Sequence, residues 1–328
     1  MKPDRTLRSL GILALTLLMT GLLAGPALAV TYVLRAAPTT VNMPDGAAVT
    51  MWGFADDTNG PGTVTVPGPR LVVPPGDTTL TIQLINNLPQ PISLVIPGQP
   101  GSLAPKTFLD KKSRARVRSF NKETAIGKSR FYIWKNLKPG TYIYHSGTRP
   151  AVQVQMGLYG AVTADAADGQ AYAGLPYDNE VLLFFSEIDP ALHNAVATGA
   201  YGKRAYRNAV DYQPKYFLVN GSPYPGAAPV QQAPLRAGQR ILTRFFNMGL
   251  RDLVPTINGL DWEIVAEDGN PLAHAKTQYS LLLPAGKTYD AILRPAAAGS
   301  YAVFDRRLSL TNNATSPGGM LLKLPVLN

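Results

Sequence analysis

The side chains that could bind a metal or activate a nucleophile are few in this sequence. Its 328 residues contain three histidines, His145, His193 and His274, and no cysteine. The absence of cysteine excludes disulfides, thiolate zinc sites, iron–sulfur clusters, cysteine nucleophiles and thiolate-bound copper. No Gly-x-Ser-x-Gly, Walker or dinucleotide-binding motif is present, and the acidic pairs Asp56-Asp57 and Glu267-Asp268 lack a neighbouring histidine. The residues themselves therefore give little support to an enzyme.

The three histidines differ in their predicted settings. His145 follows an apolar and aromatic strand, where it could either bind a copper ion or form a hydrogen bond at the strand end. His193 falls within residues 189–200, which are predicted to form one short helix or a loop, and His274 falls within a polar loop after Pro271. We interpret both histidines as exposed. A single imidazole binds metal weakly, because useful affinity needs two to four ligands in a fixed geometry. His145 is thus the candidate metal ligand.

A strongly basic stretch, residues 106–138, is the most unusual feature of the chain. It contains eleven Lys and Arg residues against Asp110 and Glu123, a net charge of +9. Three of its arginines alternate with Ala115 and Val117, so their guanidinium groups should lie on one face of a strand. Such a face attracts anions through its long-range field and through bidentate arginine contacts. The residues predicted to bind an anionic partner are Lys111, Lys112, Arg114, Arg116, Arg118 and Arg149.

Several partners fit a basic face of this kind. An acidic protein, an anionic lipid or wall polymer, and an anionic electron-transfer partner all carry the required negative charge. Alternatively, the charges form a solvated face that protects a sheet edge from pairing. Nucleic acid is not expected, because no aromatic stacking pattern accompanies the charges and the chain is predicted to be exported.

The amino-terminal residues carry the signal for that export. Three cations precede an apolar stretch over residues 10–23, and Ala27-Leu28-Ala29 offers small residues for cleavage. We therefore interpret residues 1–29 as a signal peptide of the general secretion route, since no twin arginine is present. No later segment reaches about 18 apolar residues, so no membrane span is expected after cleavage. The predicted location is periplasmic or secreted.

Alternating polar and apolar residues predict strands along most of the remaining chain. Residues 78–85 and 241–246 alternate with a period of two, and Arg244 is expected on an outward face. Short runs of this kind between Pro and Gly are typical of antiparallel sheets buried on one face. Helical periodicity is scarce. The sequence therefore predicts an all-β protein.

Landmarks in the two halves of the chain recur at nearly the same spacing. Gly76 precedes a strand that ends at Asn86, and Gly238 precedes a strand that ends at Asn247. A repeat of about 160 residues indicates a duplicated domain. The predicted division is a signal peptide over 1–29, a first β-sandwich domain over 30–168 and a second over 169–328.

These landmarks resemble the multicopper oxidase family, which is built from tandem cupredoxin domains. In the first half, Pro75-Gly76-Asp77, Asn86-Asn87-Leu88 and residues 139–146 look like family motifs. In the second half, the segments that look like family motifs are Val219-Asn220-Gly221 and residues 284–290. The resemblance covers nearly all of the chain after the leader and implies two Greek-key, cupredoxin-like β-sandwiches. Family members usually add a third domain or trimerise as two-domain forms, so a homo-oligomer is compatible with it.

The resemblance also implies copper ligands that this sequence lacks. Blue copper needs a Cys thiolate between histidines, and the family's trinuclear cluster uses four His-x-His pairs. Val95 and Pro97 stand where the first pair would be, Gly147 replaces the partner of His145, and the remaining two pairs have no counterpart. A symmetric trimer with one cluster at each interface would not complete the trinuclear site, because each chain must still supply eight histidines in total.

The predicted function follows from a retained framework and missing ligands. We expect an exported, multicopper-oxidase-like protein that has lost both copper centres and acts as a binding or scaffold subunit without a cofactor. The alternative is a copper-binding oxidoreductase with a mononuclear site at His145 or with ligands from another chain. Copper that binds the purified protein and is lost with His145→Ala would favour the alternative.

Overall fold

The structure, a computed structural model, describes residues 29–101 and 103–328. The predicted signal peptide lies outside these ranges except for Ala29, which is the first residue of a strand. The described chain is nearly all β-structure with two short helices, which confirms the predicted all-β fold class. Within the described ranges, no helix is long and apolar enough to cross a membrane.

The strands of the first half are β1 (Ala29–Asn42), β2 (Ala48–Asp56), β3 (Leu71–Val73), β4 (Thr79–Asn86), β5 (Lys106–Leu109), β6 (Ala115–Ser119), β7 (Ser129–Lys135), β8 (Gly140–His145), β9 (Tyr159–Ala164), β10 (Gln170–Tyr172) and β11 (Leu175–Pro176). Those of the second half are β12 (Asn179–Ile188), β13 (Tyr216–Val219), β14 (Val230–Gln231), β15 (Leu235–Arg236), β16 (Ile241–Asn247), β17 (Pro255–Ile257), β18 (Trp262–Glu267), β19 (Asn270–Gln278), β20 (Thr288–Leu293), β21 (Gly299–Asp305) and β22 (Leu321–Leu327). The helices are α1 (Pro150–Gln153) and α2 (Pro190–Ala197), and a 3₁₀ turn spans Ala209–Asp211.

Two sheets form the first sandwich. One has the order β2-β1-β4-β7, in which β1 and β4 are parallel and the other neighbours are antiparallel. The second sheet has the order β3-β9-β8. Leu34, Ile82 and Trp134 of the first sheet share one buried core with Leu71 and Tyr144 of the second. Strand β4 alternates strictly between buried and half-buried residues, because successive side chains point to opposite faces of a sheet.

The second sandwich repeats this arrangement. Its larger sheet has the order β13-β12-β16-β20-β18-β19, and β12 runs parallel to β16 as β1 does to β4. Strand β14 also pairs with β12, and the smaller sheet has the order β15-β22-β21-β17. Phe245 and Trp262 of the larger sheet share a buried core with Val303 and Leu322 of the smaller one.

The repeated asparagines have the same structural role in both halves. The side-chain amide of Asn86 donates to the carbonyls of Gln90 and Thr124, and its Oδ1 accepts from the backbone N–H two residues later. The amide of Asn247 donates to the carbonyls of Arg251 and Leu283, and its Oδ1 also accepts from the N–H two residues later. Each asparagine thus satisfies backbone groups where a strand turns into a loop.

The two sandwiches pack face to face. Ile143 and Tyr159 of the smaller sheet of the first sandwich contact Phe184 and Phe246 of the second, and the two phenylalanine rings stack at 4.1 Å. Because this contact covers the outer face of the larger sheet, all residues of β12 are buried. The strands at the interface are therefore buried on both faces, unlike the half-buried strands that the sequence predicts.

Arg244 is the clearest departure from the predicted outward pattern, because it is 0% exposed. Its Nε donates to Glu180 at 2.9 Å, its Nη1 to Thr141 Oγ1 at 2.8 Å and its Nη2 to Asp165 at 2.7 Å. Burial alone would lower the pKa of Arg244, but the carboxylates of Asp290, Glu180 and Asp165 raise that pKa above its usual value. The outward face of β16 is thus an ionic contact between the two halves of the chain.

The expected settings of two histidines are also corrected by the structure. The predicted helix is present as α2, and it packs on the first sandwich through Leu192 and Val196. This packing buries the adjacent His193 to 2% exposure, and its Nδ1 donates to the carbonyl of Thr50 at 2.8 Å. His274 is exposed as expected, but it lies in strand β19 rather than in a loop.

Candidate functional site

Five of the six residues predicted to bind an anionic partner lie on one β-hairpin. Strands β5 and β6 pair with each other in a sheet of their own, and we call residues 106–119 the basic hairpin. Lys111 and Lys112 lie exposed in its turn. At its base, the backbone N–H of Arg149 donates to the carbonyl of Arg118 at 2.8 Å, and the side chain of Arg149 is exposed. The fold thus brings all six residues to one region.

The arginines of the basic hairpin are paired with nearby carboxylates. The Nε atoms of Arg114 and Arg116 donate to one oxygen of Asp110 at 2.9 and 3.1 Å, and Nε of Arg118 donates to Glu123 at 3.1 Å. The hydrogen bond from the Arg114 side chain is the main reason why the pKa of Asp110 lies below its usual value. Because each guanidinium has five N–H donors, these pairs leave donors for a further anion. Binding by these residues stays a prediction.

A groove beside the basic hairpin is the candidate binding site. It encloses about 620 Å³ between the loop that begins at Val95, residues 120–122, strand β7 and His145. Strand β7 is the edge strand of its sheet. Its Phe131 and Ile133 are 60% and 51% exposed, while Tyr132 and Trp134 on the opposite face are buried in the core. We call this hollow the groove.

Four residues of strand β7 carry a signal for the groove in the sequence. Residues 131–134 are Phe-Tyr-Ile-Trp, a run that is apolar on both faces of a strand. On a strand covered on both faces such a run is ordinary. On an edge strand with one open face, it creates an exposed apolar surface. The position of β7 at the edge of its sheet decides between these cases.

Cations lie at one end of the groove. A second hollow shares Ala104, Lys122 and Arg130 with the groove and adds Lys106. Among the residues that the structure describes, these three cations have no ion pair with a carboxylate. Nε of Arg130 donates to the backbone carbonyl of Glu123 at 3.1 Å. The site is therefore an apolar hollow with a cationic mouth.

His145 lies on the wall of the groove, at the end of β8. Its backbone pairs with that of Val95 through two hydrogen bonds of 3.0 Å. Its Nδ1 contacts the carbonyl of Ser146 at 2.9 Å. Because a carbonyl can only accept, Nδ1 carries the proton and Nε2 keeps its lone pair. Burial lowers the pKa of His145, which favours this neutral form.

Val95 and Gly147, which stand at two positions where the resemblance implies histidines, lie close together. A Cβ atom added at Gly147 would lie 2.8 Å from Cγ1 of Val95 and 3.0 Å from Oγ of Ser93. An imidazole at position 147 therefore has no room beside the valine that occupies the first motif. The replaced positions form a packed contact rather than a cavity.

Hydroxyl and amide groups fill the space below this contact. Ser146 donates to the side chain of Gln153 at 2.6 Å, and Thr148 Oγ1 donates to Ser93 at 3.1 Å and Ser119 at 2.9 Å. All five side chains are buried. Hydroxyl and amide oxygens are poor copper ligands compared with thiolate and imidazole. The polar groups here satisfy one another instead of converging on an ion.

The donor set does not fit the copper centres of the family. No group of three or more His, Cys, Asp or Glu side chains in residues 29–101 and 103–328 is arranged to hold a metal ion. His193 is held on Thr50, and His274 is exposed on β19. The structure thus leaves His145 without companion histidines from its own described chain.

Comparison with known proteins agrees with the fold and with the motifs. Residues 36–168 match the model of the multicopper oxidase family. The copper-containing nitrite reductase of Neisseria meningitidis serogroup B is 25% identical over 279 residues, which are 82% of this chain and 62% of that protein. The chain thus spans less than two thirds of the length of this curated relative.

Solved structures show the same fold. The blue copper oxidase of Nitrosomonas europaea superposes with a TM-score of 0.71 at 18% identity, covering 91% of this chain and 86% of that one. The copper nitrite reductase of the same organism gives a TM-score of 0.65 at 22% identity, covering 92% and 94%. The first half of the chain therefore resembles the multicopper oxidase family in sequence, and the whole described chain has the cupredoxin-like fold of these proteins, so the predicted resemblance is confirmed.

Proposed function

We propose that this chain is a copper-free binding member of the multicopper oxidase family. It keeps the two-sandwich framework and uses the groove and the basic hairpin to bind an anionic partner. In this proposal it is a binding or scaffold subunit and not an oxidoreductase. The uncompensated lysines of the hairpin turn and the cationic mouth of the groove supply the attraction.

The contact between Val95 and Gly147 is the observation that carries the proposal. A lost ligand can leave an open pocket that still accepts metal together with water. Here the two replaced positions pack tightly, with 2.8 Å between a Cβ at 147 and the valine methyl. This packing stabilises the protein without copper and leaves no space for a second histidine beside His145.

Metal content tests the proposal. The full chain, produced with copper in the medium and dialysed against a weak chelator, is analysed for copper per chain beside a His145→Asn variant. We expect less than about 0.1 copper per chain in both proteins, because one imidazole alone binds weakly. A copper nitrite reductase treated in the same way controls for loading. Stoichiometric copper that is lost in the variant would contradict the proposal.

A second candidate function is copper binding shared with another chain. The specific observation in its favour is the tautomer of His145, since ligating histidines commonly donate their other ring N–H to a carbonyl. Copper titration of the oligomeric and monomeric fractions separates the candidates. Copper retained by the oligomer alone, and lost with His145→Asn, would favour the shared site.

We also propose that the chain works in the periplasm or outside the cell. The support is the amino-terminal pattern of cations, apolar residues and small residues over 1–29. Amino-terminal sequencing of the protein from an osmotic-shock fraction should begin at Val30. A cytoplasmic protein that begins at Met1 or Lys2 would contradict this location.

A further inference from the structure

We infer that the groove binds a small anionic amphiphile, a molecule with an apolar body and a carboxylate or similar anionic head. This inference rests on the proposed function, because it names the class of partner for the same site. It is carried by three features of the groove: its open apolar surface, the cations at its mouth and its size.

The apolar surface is unusually exposed for a soluble domain. Leu103, Phe120, Phe131 and Ile133 line the groove and are 65%, 46%, 60% and 51% exposed. Clustered apolar groups of this kind usually mark a binding surface. Contact with an apolar ligand would remove them from water at a gain of roughly 25 cal/mol for each Å² covered.

The charge at the mouth selects the head group of the ligand. Lys106, Lys122 and Arg130 surround the hollow that continues from the groove. Glu123, the acidic residue beside them, is already bound to Arg118. In this hollow three cations thus face one carboxylate that is already paired, and an anionic head would form charge-assisted hydrogen bonds with them.

Size favours a small molecule over a protein. A volume of about 620 Å³ lies within the range of roughly 300–1,000 Å³ typical of small-ligand pockets. A second copy of this chain would bring a further formal charge of +10 toward a basic surface, which opposes association. An anionic amphiphile matches both the apolar body and the cationic mouth.

Calorimetric titration with decanoate, and with decan-1-ol as its uncharged counterpart, tests this inference on the full chain. We expect one decanoate per chain, bound about tenfold more tightly than the alcohol, because charged hydrogen bonds are the stronger ones. The Lys122→Gln/Arg130→Gln double variant should lose this preference but still bind the alcohol. Lys276→Gln/Lys323→Gln, which removes two charges from exposed strand positions of the second sandwich, should keep the preference.

A second readout locates the ligand. Trp134 is buried to 4% exposure but lines the groove, whereas Trp52 and Trp262, at 4% and 0% exposure, do not line it. Decanoate should therefore change the tryptophan fluorescence of the wild type, and Trp134→Phe should abolish the change while calorimetry still detects binding. A fluorescence response that persists in Trp134→Phe would contradict binding in the groove.

Three other outcomes overturn the inference. Equal binding of decanoate to the double variant and the wild type would remove the role of the cations at the mouth. An acidic peptide that binds while decanoate does not would identify a protein partner. Decanoate affinity that weakens as the protein concentration rises, together with a dimer in analytical ultracentrifugation, would identify a second copy as the occupant. Each of these leaves the copper-free proposal standing, since stoichiometric copper is what contradicts that proposal.

Discussion

At the scale of single residues, the close approach of Gly147 to Val95 is the contact on which the copper-free proposal depends. Gly147 has no positive φ, so the backbone itself tolerates a side chain. The obstacle is Val95, whose Cγ1 would lie 2.8 Å from a Cβ at 147. The glycine and the valine therefore act as a packed pair, which mutations can test directly.

We expect Gly147→Ala to lower the free energy of unfolding by about 1–3 kcal/mol, the usual range for an overpacked core. Combination with Val95→Ala should recover part of that loss, because the smaller side chain makes room. Chemical denaturation of the two single variants and the double variant measures the coupling. Gly226→Ala, where the nearest atom is 3.4 Å away, is the control. Additive effects would show that the two positions do not pack on each other.

His193 predicts a pH dependence of stability. Burial lowers the pKa of His193 in the folded protein, so the unfolded chain takes up the proton first as the pH falls. Stability should therefore decrease as the pH falls below about 6.5, the ordinary histidine value. His145 shifts in the same direction and adds to the effect. Above about pH 6.5 the two neutral histidines make their full contribution to stability.

The measurement is the melting temperature at pH 7.5 and at pH 5.5. His193→Asn keeps an N–H that can donate to the carbonyl of Thr50, but it cannot take up a proton. We expect a smaller fall in melting temperature for this variant than for the wild type. His274→Asn, on the exposed face of β19, should fall as the wild type does. Equal falls for all three proteins would show that His193 does not contribute.

At the scale of elements, the strand-to-loop junctions after β4 and β16 are equivalent. Each asparagine makes three side-chain hydrogen bonds to backbone groups. Asn86→Ala and Asn247→Ala should each cost roughly 2–4 kcal/mol, since net hydrogen bonds contribute about 1 kcal/mol and buried groups are left unpaired. Urea denaturation measures both, with exposed Asn270→Ala as the control. A large effect at one junction alone would mean that the two are not equivalent.

At the scale of the whole molecule, the two sandwiches are joined by apolar packing and by buried charges. Phe184 and Phe246 stack at the interface, and Arg244 pairs with Glu180 of its own sandwich and with Asp165 of the other. Removal of the arginine would leave Asp165 without an ion pair and Glu180 with Arg70 alone. Buried Asp290 would also lose the favourable charge of Arg244. The free-energy cost of leaving buried carboxylates unpaired exceeds the stability that the ion pairs had contributed.

We therefore expect Arg244→Ala to lower the free energy of unfolding by roughly 3–5 kcal/mol and to weaken the coupling between the sandwiches. Differential scanning calorimetry should show a broadened or divided transition in place of a single one. Arg294→Ala removes a half-exposed arginine that pairs with Glu263 at 3.1 Å, and it should cost less than about 1 kcal/mol. A single, unshifted transition for Arg244→Ala would contradict an energetic link at this interface.

The sequence by itself determined the strand content, the repeated junctions at Asn86 and Asn247, and the absence of most copper ligands. These are local or compositional properties, because alternation depends on neighbouring residues and a missing side chain is missing in any fold. Tertiary structure alone decided that Arg244 and His193 are buried and that Phe131 is open to a groove. The burial of an outward face depends on which element packs against it, and that contact comes from residues far away in the chain.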